Sequence, residues 1–363
     1  MDERRQQPTG ETIMRAEIVE SIAVTARLIA DRRRFELIGE ALAARRPAVL
    51  VVAGRGTSDH AAIYARYLLE HALGVPVALA AASLLTQYGV ESASPQTALI
   101  AFSQSGAGPD MIALVESARR RGALTVALTN VADSELARAA EIDASLDAGP
   151  ERAVAATKSY LAELVGVALI AAAAARASHR DASWSAQIEG LPERMAQALA
   201  AATEWTGAAS ASRVFQALLS CNRTFVVGRG FEYPNALECA LKLRETTGTF
   251  ADGYSAADLL HGPIASANRD VPALILATDP KTSASVEKSA ERLRAAGSPL
   301  LVISNGQVSS HGVEQFALPE GPSGPLCTPV TGIVGLTLIE AIATGRGLNP
   351  DAPPGLTKVT KTL

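Results

Sequence analysis

Residues 98–106 read Ala98-Leu99-Ile100-Ala101-Phe102-Ser103-Gln104-Ser105-Gly106, and after Ala107-Gly108 come Pro109 and Asp110. The apolar run predicts a buried strand, and Pro109 predicts the first position of a helix, where its missing N–H would have had no partner anyway. Small hydroxyls, an amide and a glycine therefore stand between a strand and a helix N-terminus. The backbone N–H groups there lack helical partners and the helix dipole favours an anion, which makes a cradle for phosphate. The loop predicts a binder of phosphorylated small molecules.

Working outward, strand-length apolar runs alternate with helix-length segments. Ala48–Ala53, Val75–Ala81, Thr97–Phe102 and Leu124–Thr129 read as strands, and Asp59–Leu73 and Asp110–Arg121 as helices. Met14–Ala44 reads as helix before the first strand. Continuous apolar strands separated by helices predict an α/β fold with a parallel sheet covered on both faces. The second half repeats the first. Gly54-Arg55-Gly56 matches Gly228-Arg229-Gly230 at an offset of 174, and Ala98–Ala101 matches Ala273–Leu276 at 175. Val126–Asn130 matches Leu301–Asn305, again at 175. So long a period indicates a duplicated domain rather than a solenoid. The alanine-rich stretch from Ala171 to about Leu219 is expected to be mostly helix joining the copies.

The copies differ where it matters. Thr278-Asp279-Pro280-Lys281 holds the place of Ser103-Gln104-Ser105-Gly106. An Asp opposes a phosphate and a Pro removes an N–H donor, so only the first copy is expected to hold the anion.

Composition narrows the class. The 363 residues are 48% hydrophobic and 19% charged, enough for real cores and too little charge for disorder. A net charge of −4 without a basic block, and 4% aromatic residues, argue against nucleic acid as a partner. Cys221, Cys239 and Cys327 lack metal-ligand spacing and read as small core residues in a reducing cytoplasm. The first twelve residues are polar, unlike a signal peptide, and the apolar run Leu164–Ala175 is shorter than the ~20 residues that span a bilayer. A cytoplasmic protein without membrane segments is expected. No metal cluster or nucleotide fingerprint is visible, so no cofactor is expected.

Three further stretches can carry chemistry. Glu238, Lys242 and Glu245 are spaced four and three apart, on one helical face. Such a trio is ordinarily a solvated ladder, but Ala236, Leu237, Ala240, Leu241 and Leu243 leave little room for an exposed face, and a carboxylate beside a lysine in a closed pocket is a credible base. His261 precedes Gly262-Pro263, which ends its element and places the imidazole near a loop. The Pro-rich tail, Asn349 to Thr360, is either a frayed terminus or an ordered strap presenting Lys358 or Lys361 as an amine.

Taken together these pieces resemble the isomerase part of the glucosamine-6-phosphate synthase family, a pair of sugar-isomerase (SIS) domains, from about Val51 onward. The matching stretches are Gly56-Thr57-Ser58, Ser103–Gly106, Val154-Ala155-Ala156-Thr157-Lys158, Glu238–Glu245, His261-Gly262-Pro263 and Leu356–Thr360. The resemblance implies two tandem flavodoxin-like SIS domains and a homodimer with a shared site. It implies that Gly56, Thr57, Ser58, Ser103, Gln104, Ser105, Gly108, Val154 and Ala156 bind the sugar phosphate. Glu245 would shuttle a proton between C1 and C2 with Lys242 beside it. His261, from the other subunit, would assist ring opening, and Lys358 would form a Schiff base with the keto-sugar.

The departures are Ala107-Gly108 where the family has Glu-Thr, and Ala156 where it has Ser. Asp2 stands where a glutaminase would have its cysteine nucleophile, and about fifty residues before the first strand are too few for that domain. The expected organisation is a helical segment over 1–45, a first SIS domain over 46–180, a helical linker over 181–220, a second SIS domain over 221–346 and a tail over 347–363. The expected activity is deamination and isomerisation of an aminosugar phosphate, glucosamine-6-phosphate giving fructose-6-phosphate and ammonia. The alternatives are a galactosamine-, tagatose- or fructosamine-type phosphosugar enzyme, a synthase served by a separate glutaminase, and a non-catalytic sugar-phosphate sensor.

Overall fold

The structure is a computed structural model that describes residues 10–306, 313–319, 321–322 and 324–358. The chain forms two compact units. Elements of the first half are α1 (Ile13–Ala30), α2 (Arg33–Arg45), β1 (Val49–Ala53), α3 (Thr57–Leu73), β2 (Val77–Leu79) and α4 (Ala82–Thr86). They continue as β3 (Thr97–Ser103), α5 (Pro109–Arg120), β4 (Leu124–Thr129), α6 (Glu135–Ala139), β5 (Ile142–Ser145) and α7 (Lys158–Ala177). The five strands make one parallel sheet in the order β2-β1-β3-β4-β5. This is the flavodoxin-like order, whose direction of winding reverses between β1 and β3.

The inner strands are mostly apolar because helices cover both faces: Ala98 to Phe102 and Leu124 to Thr129, with Thr125 and Thr129 among them, are all buried. On one face α2 and α3 pack against α7, in which every residue from Lys158 to Ala175 is buried. Each of the fully buried Leu161, Leu164, Val165 and Ile170 contributes roughly 1.5–3 kcal/mol of burial there.

The second half continues with α8 (Leu191–Ala208), α9 (Arg213–Ser220), β6 (Arg223–Gly228), α10 (Tyr233–Thr247), β7 (Phe250–Ser255) and α11 (Ala256–Leu260). Then come β8 (Ala273–Ala277), α12 (Ser283–Ala295), β9 (Leu300–Ser304), β10 (Glu314–Ala317) and α13 (Cys327–Gly345). Its parallel sheet runs β7-β6-β8-β9-β10, the order of the first sheet. The duplication expected from the offsets is thus a duplication of topology. Against this sheet's helix α10 packs α13, and α8 packs on α13 as well. Cys221, Cys239 and Cys327 are buried and free. The helices Lys158–Ala177 and Gly324–Gly345 are long and apolar enough to cross a membrane, longer than the run Leu164–Ala175 suggested, yet they are core helices with 89% and 94% of their apolar windows buried.

Boundaries differ from expectation in physical detail. The segment Met14–Ala44 is two helices, separated at Asp31-Arg32. One unit holds residues 23–151 and 158–189; the other holds residues 10–22, 152–157 and 190–358. Residues 191–220 are therefore no free linker, because α8 buries Leu191, Met195, Ala198, Leu199 and Ala202 within the second unit. The tail through Lys358 also belongs to that unit. The expected Val75–Ala81 strand narrows to Val77–Leu79, at the sheet edge.

Candidate active site

In the first unit the reversal between β1 and β3 brings their following loops to one end of the sheet, the place where open α/β sheets bind ligands. After β1, Gly54 lets the start of α3 fold back: a Cβ there would lie 2.4 Å from the Ser58 carbonyl oxygen. Gly56 adopts φ +55°, and Thr57 opens α3. Ser58 is buried, and its Oγ donates to Oε1 of Glu163 on α7 at 2.7 Å.

After β3 the loop folds on itself. The Gly106 N–H donates to Ser103 Oγ at 3.0 Å and the Ala107 N–H to Ser105 Oγ at 3.3 Å. Each serine accepts a backbone bond and keeps its own O–H proton for donation. The Gln104 carbonyl accepts from the Asn130 N–H. Gly108 is the N-cap of α5 with extended backbone and no side chain to bond the helix, and Pro109 opens the helix as expected. Asp110 is buried; Oδ1 accepts the Met111 N–H at 2.9 Å and Oδ2 pairs with Arg55 Nε at 2.7 Å. The structure thus places Gly56 with Thr57 and Ser58 at the start of α3, and Ser103, Gln104, Ser105 and Gly108 after β3, at one end of the sheet.

The second unit repeats this turn with different chemistry. A Cβ on Gly228 would lie 2.3 Å from the Glu232 carbonyl oxygen, so Glu232 stands where Ser58 stands. Its carboxylate is 1% exposed and accepts from Thr278 Oγ1 and from Asn235 Nδ2 at 2.8 Å. Burial raises its pKa, opposed by the hydrogen bonds from Thr278, Asn235 and Thr331 and reinforced by Asp279. A carboxyl group of the chain itself fills this switch point. The offset of 174 that matched Gly54 to Gly228 also pairs Ser58 with Glu232, the signal that could have revealed it.

On α10, Lys242 is 1% exposed and its Nζ lies 2.6 Å from Glu245 Oε2 and 3.5 Å from Glu238 Oε1. Glu238 is equally buried, whereas the Glu245 side chain keeps 23% exposure. A solvated ladder does not fit this burial. A buried ammonium between two carboxylates holds them fixed, and of the three only Glu245 retains a face toward solvent. His261 is the exposed residue that ends α11, its N–H bonded to the Asp258 carbonyl. Among the described residues, no hydrogen bond or ion pair joins its ring to Glu245 or Lys242.

Among the described residues, the tail is held by hydrogen bonds to the rest of its unit. Asp351 takes the Ile13 and Met14 N–H groups on Oδ2 and Oδ1 at 2.9 and 2.8 Å, capping α1, and its carbonyl accepts the Val154 N–H at 2.9 Å. The Arg152 N–H donates to Glu17 in the same unit. Onto this anchored stretch Lys358 places its Nζ, 2.7 Å from the Ala153 carbonyl. The structure thereby brings Lys358, Val154 and Ala156 onto one short segment. Lys361 lies outside the described residues, as does Asp2. Glu163, Asp110, Glu17 and Asp351 escaped the sequence reading.

Residues 45–173 and 217–334 each match the SIS domain family. A protein of Symbiobacterium thermophilum named glutamine–fructose-6-phosphate aminotransferase (isomerizing) is 33% identical over 312 residues, 84% of this chain and 50% of that protein. The chain spans about half the length of the curated relatives it matches. The C-terminal domain of glucosamine-fructose-6-phosphate aminotransferase from Francisella tularensis superposes with a TM-score of 0.83 at 22% identity, over 96% of this chain and 99% of that one. A protein of Silicibacter pomeroyi DSS-3 assigned as a phosphosugar isomerase superposes at 0.80 with 31% identity, over 94% and 100%. With both matched stretches coinciding with the two parallel sheets, the chain belongs to the SIS domain family and carries its domain twice in tandem.

Proposed function

We propose that the chain is an aminosugar-phosphate deaminase and isomerase that converts glucosamine-6-phosphate and water to fructose-6-phosphate and ammonia. The observation that carries this reading is the buried ammonium of Lys242 against Glu245, whose carboxylate alone of the trio keeps solvent access. In the open-chain sugar the C1 aldehyde acidifies the C2 proton. Glu245 removes that proton, and the resulting enol-amine takes it back at C1. The amine at C2 is now an imine, and water displaces ammonia from it. The Ser103–Gly108 loop with Gly56, Thr57 and Ser58 anchors the phosphate, so that the phosphate's binding energy orients the reacting carbons. Where the Lys358 amine, lying on the Ala153 carbonyl beside Val154 and Ala156, takes the place of water in that displacement, ammonia leaves C2 as the lysine Schiff base forms, and water then hydrolyses the Schiff base to fructose-6-phosphate and the free lysine. His261 serves ring opening from a second copy of the chain in a homodimer.

Purified protein given glucosamine-6-phosphate is expected to release ammonia and fructose-6-phosphate in equal amounts, and Glu245→Gln to abolish both. Absence of ammonia from every hexosamine-6-phosphate overturns the reading. The names of the curated relatives favour a second one, synthesis in the opposite direction with ammonia from a glutaminase. It predicts glucosamine-6-phosphate from fructose-6-phosphate only when glutamine and a glutaminase are supplied.

A further inference from the structure

The phosphate loops contain hydroxyls and N–H groups, but a phosphate dianion among Asp110, Asp59 and Glu163 needs a cation. Arg55, second residue of Gly54-Arg55-Gly56, is the basic side chain of these loops. Its Nε is fixed 2.7 Å from Asp110 Oδ2, and Asp110 is 2% exposed while the Arg55 side chain is 52% exposed. Among the described residues its two terminal nitrogens make no hydrogen bond. A side chain beginning at Gly108 would start 3.5 Å from Asp110 Oδ1, so the Arg55–Asp110 pair borders the N-cap of α5, where Gly108 supplies no side-chain donor. The tether is not a requirement of the repeated turn. At the matching position of the second repeat, Arg229 turns instead to Ser255 Oγ at 2.9 Å, in the copy whose switch point Glu232 fills.

We propose that Arg55 is the cation of the phosphate site, its terminal nitrogens taking non-bridging phosphate oxygens while Asp110 positions the guanidinium through Nε. This rests on the phosphosugar reading above. Held by one edge, the planar fork keeps two parallel N–H vectors for a bidentate contact, and it loses little freedom on binding.

The test is calorimetric titration of the full chain with fructose-6-phosphate, inorganic phosphate and unphosphorylated fructose. Arg55→Gln and Arg55→Ala are each expected to weaken fructose-6-phosphate and inorganic phosphate by about 10- to 100-fold, the range for a lost charge-assisted pair. Arg55→Lys should recover part of the loss. Asp110→Asn should weaken both phosphates less than Arg55→Gln, and fructose should bind all variants alike. Equal phosphate affinities for wild type and a folded Arg55→Gln overturn the inference and leave the phosphosugar reading intact, as does an equal loss for fructose and its phosphate. A wild-type chain that binds no hexose phosphate overturns that reading and this inference together.

Discussion

Lys242 Nζ lies 2.6 Å from Glu245 Oε2, three residues along the same helix, with the lysine 1% and the glutamate 23% exposed. The asymmetry of exposure gives each residue a different sensitivity. Lys242 sits 3.5 Å from the equally buried Glu238, so Lys242→Met removes an ammonium from beside a buried carboxylate. That change is expected to cost about 3–5 kcal/mol in urea unfolding, and Lys242→Met with Glu238→Gln to recover most of it. Glu245→Gln, on the more open carboxylate, should cost under about 1 kcal/mol while lowering turnover by at least ~100-fold. Equal stability losses for Lys242→Met and Glu245→Gln would remove the distinction between holder and base.

Glu232 makes a prediction about pH. Burial raises its pKa above the ordinary 4.5, so in acid both native and unfolded states carry the proton and nothing is lost. As pH climbs past about 4.5 the unfolded carboxyl ionises first, and native stability falls until pH reaches the raised native value. Glu232→Gln cannot ionise and escapes that fall. The difference in unfolding free energy, variant minus wild type, is expected to grow as pH rises above about 4.5 and to level off once the native carboxyl ionises. A pH-independent difference would show that the carboxyl titrates normally.

How much of this was legible in the sequence depended on distance along the chain. The inner strands Val49–Ala53, Thr97–Ser103 and Leu124–Thr129 announce themselves because strands covered on both faces read as nearly continuous apolar runs. The edge strands Ile142–Ser145 and Glu314–Ala317 carry charges and are short, so no pattern marks them. Pro109 and the serine loop were readable for the same local reason. Partners far apart were not: Ser58 meets Glu163 across 105 residues and Met14 meets Asp351 across 337, contacts that only folding creates. Glu232 lay in between. The repeat offset of 174 pairs it with Ser58, a match the sequence reading did not draw, and only burial showed that a carboxylate fills that switch point.

Gly54 and Gly228 test the equivalence of the two repeats. In each, a Cβ would fall 2.4 or 2.3 Å from a backbone carbonyl, of Ser58 or Glu232, and a main chain cannot step aside as a flexible side chain can. Gly54→Ala and Gly228→Ala are both expected to lower stability by about 1–3 kcal/mol in thermal or urea melts. If the phosphate site lies after β1 and β3, Gly54→Ala also raises KM for the sugar phosphate by displacing Ser58. A surviving KM in the folded Gly54→Ala protein would detach Ser58 from phosphate binding.

The tail offers a way to separate holding from reacting. Asp351 caps α1 through Ile13 and Met14, and its carbonyl fixes Val154 next to the residue on which Lys358 rests. Loss of such a cap costs about 0.5–2 kcal/mol, so Asp351→Ala is expected to fall in that range by urea unfolding. Because the same residue locates the segment beneath Lys358, this variant should also lower turnover several-fold, with ammonia release still measurable. Lys358→Met leaves the cap intact and should barely change stability, yet it removes the amine and should lower turnover far more than Asp351→Ala does. Borohydride reduction in the presence of fructose-6-phosphate should add the sugar's mass to wild type and Asp351→Ala but not to Lys358→Met. Labelling of Lys358→Met at the wild-type level would move the Schiff base to another lysine and leave Lys358 as a strap for the Ala153 carbonyl alone.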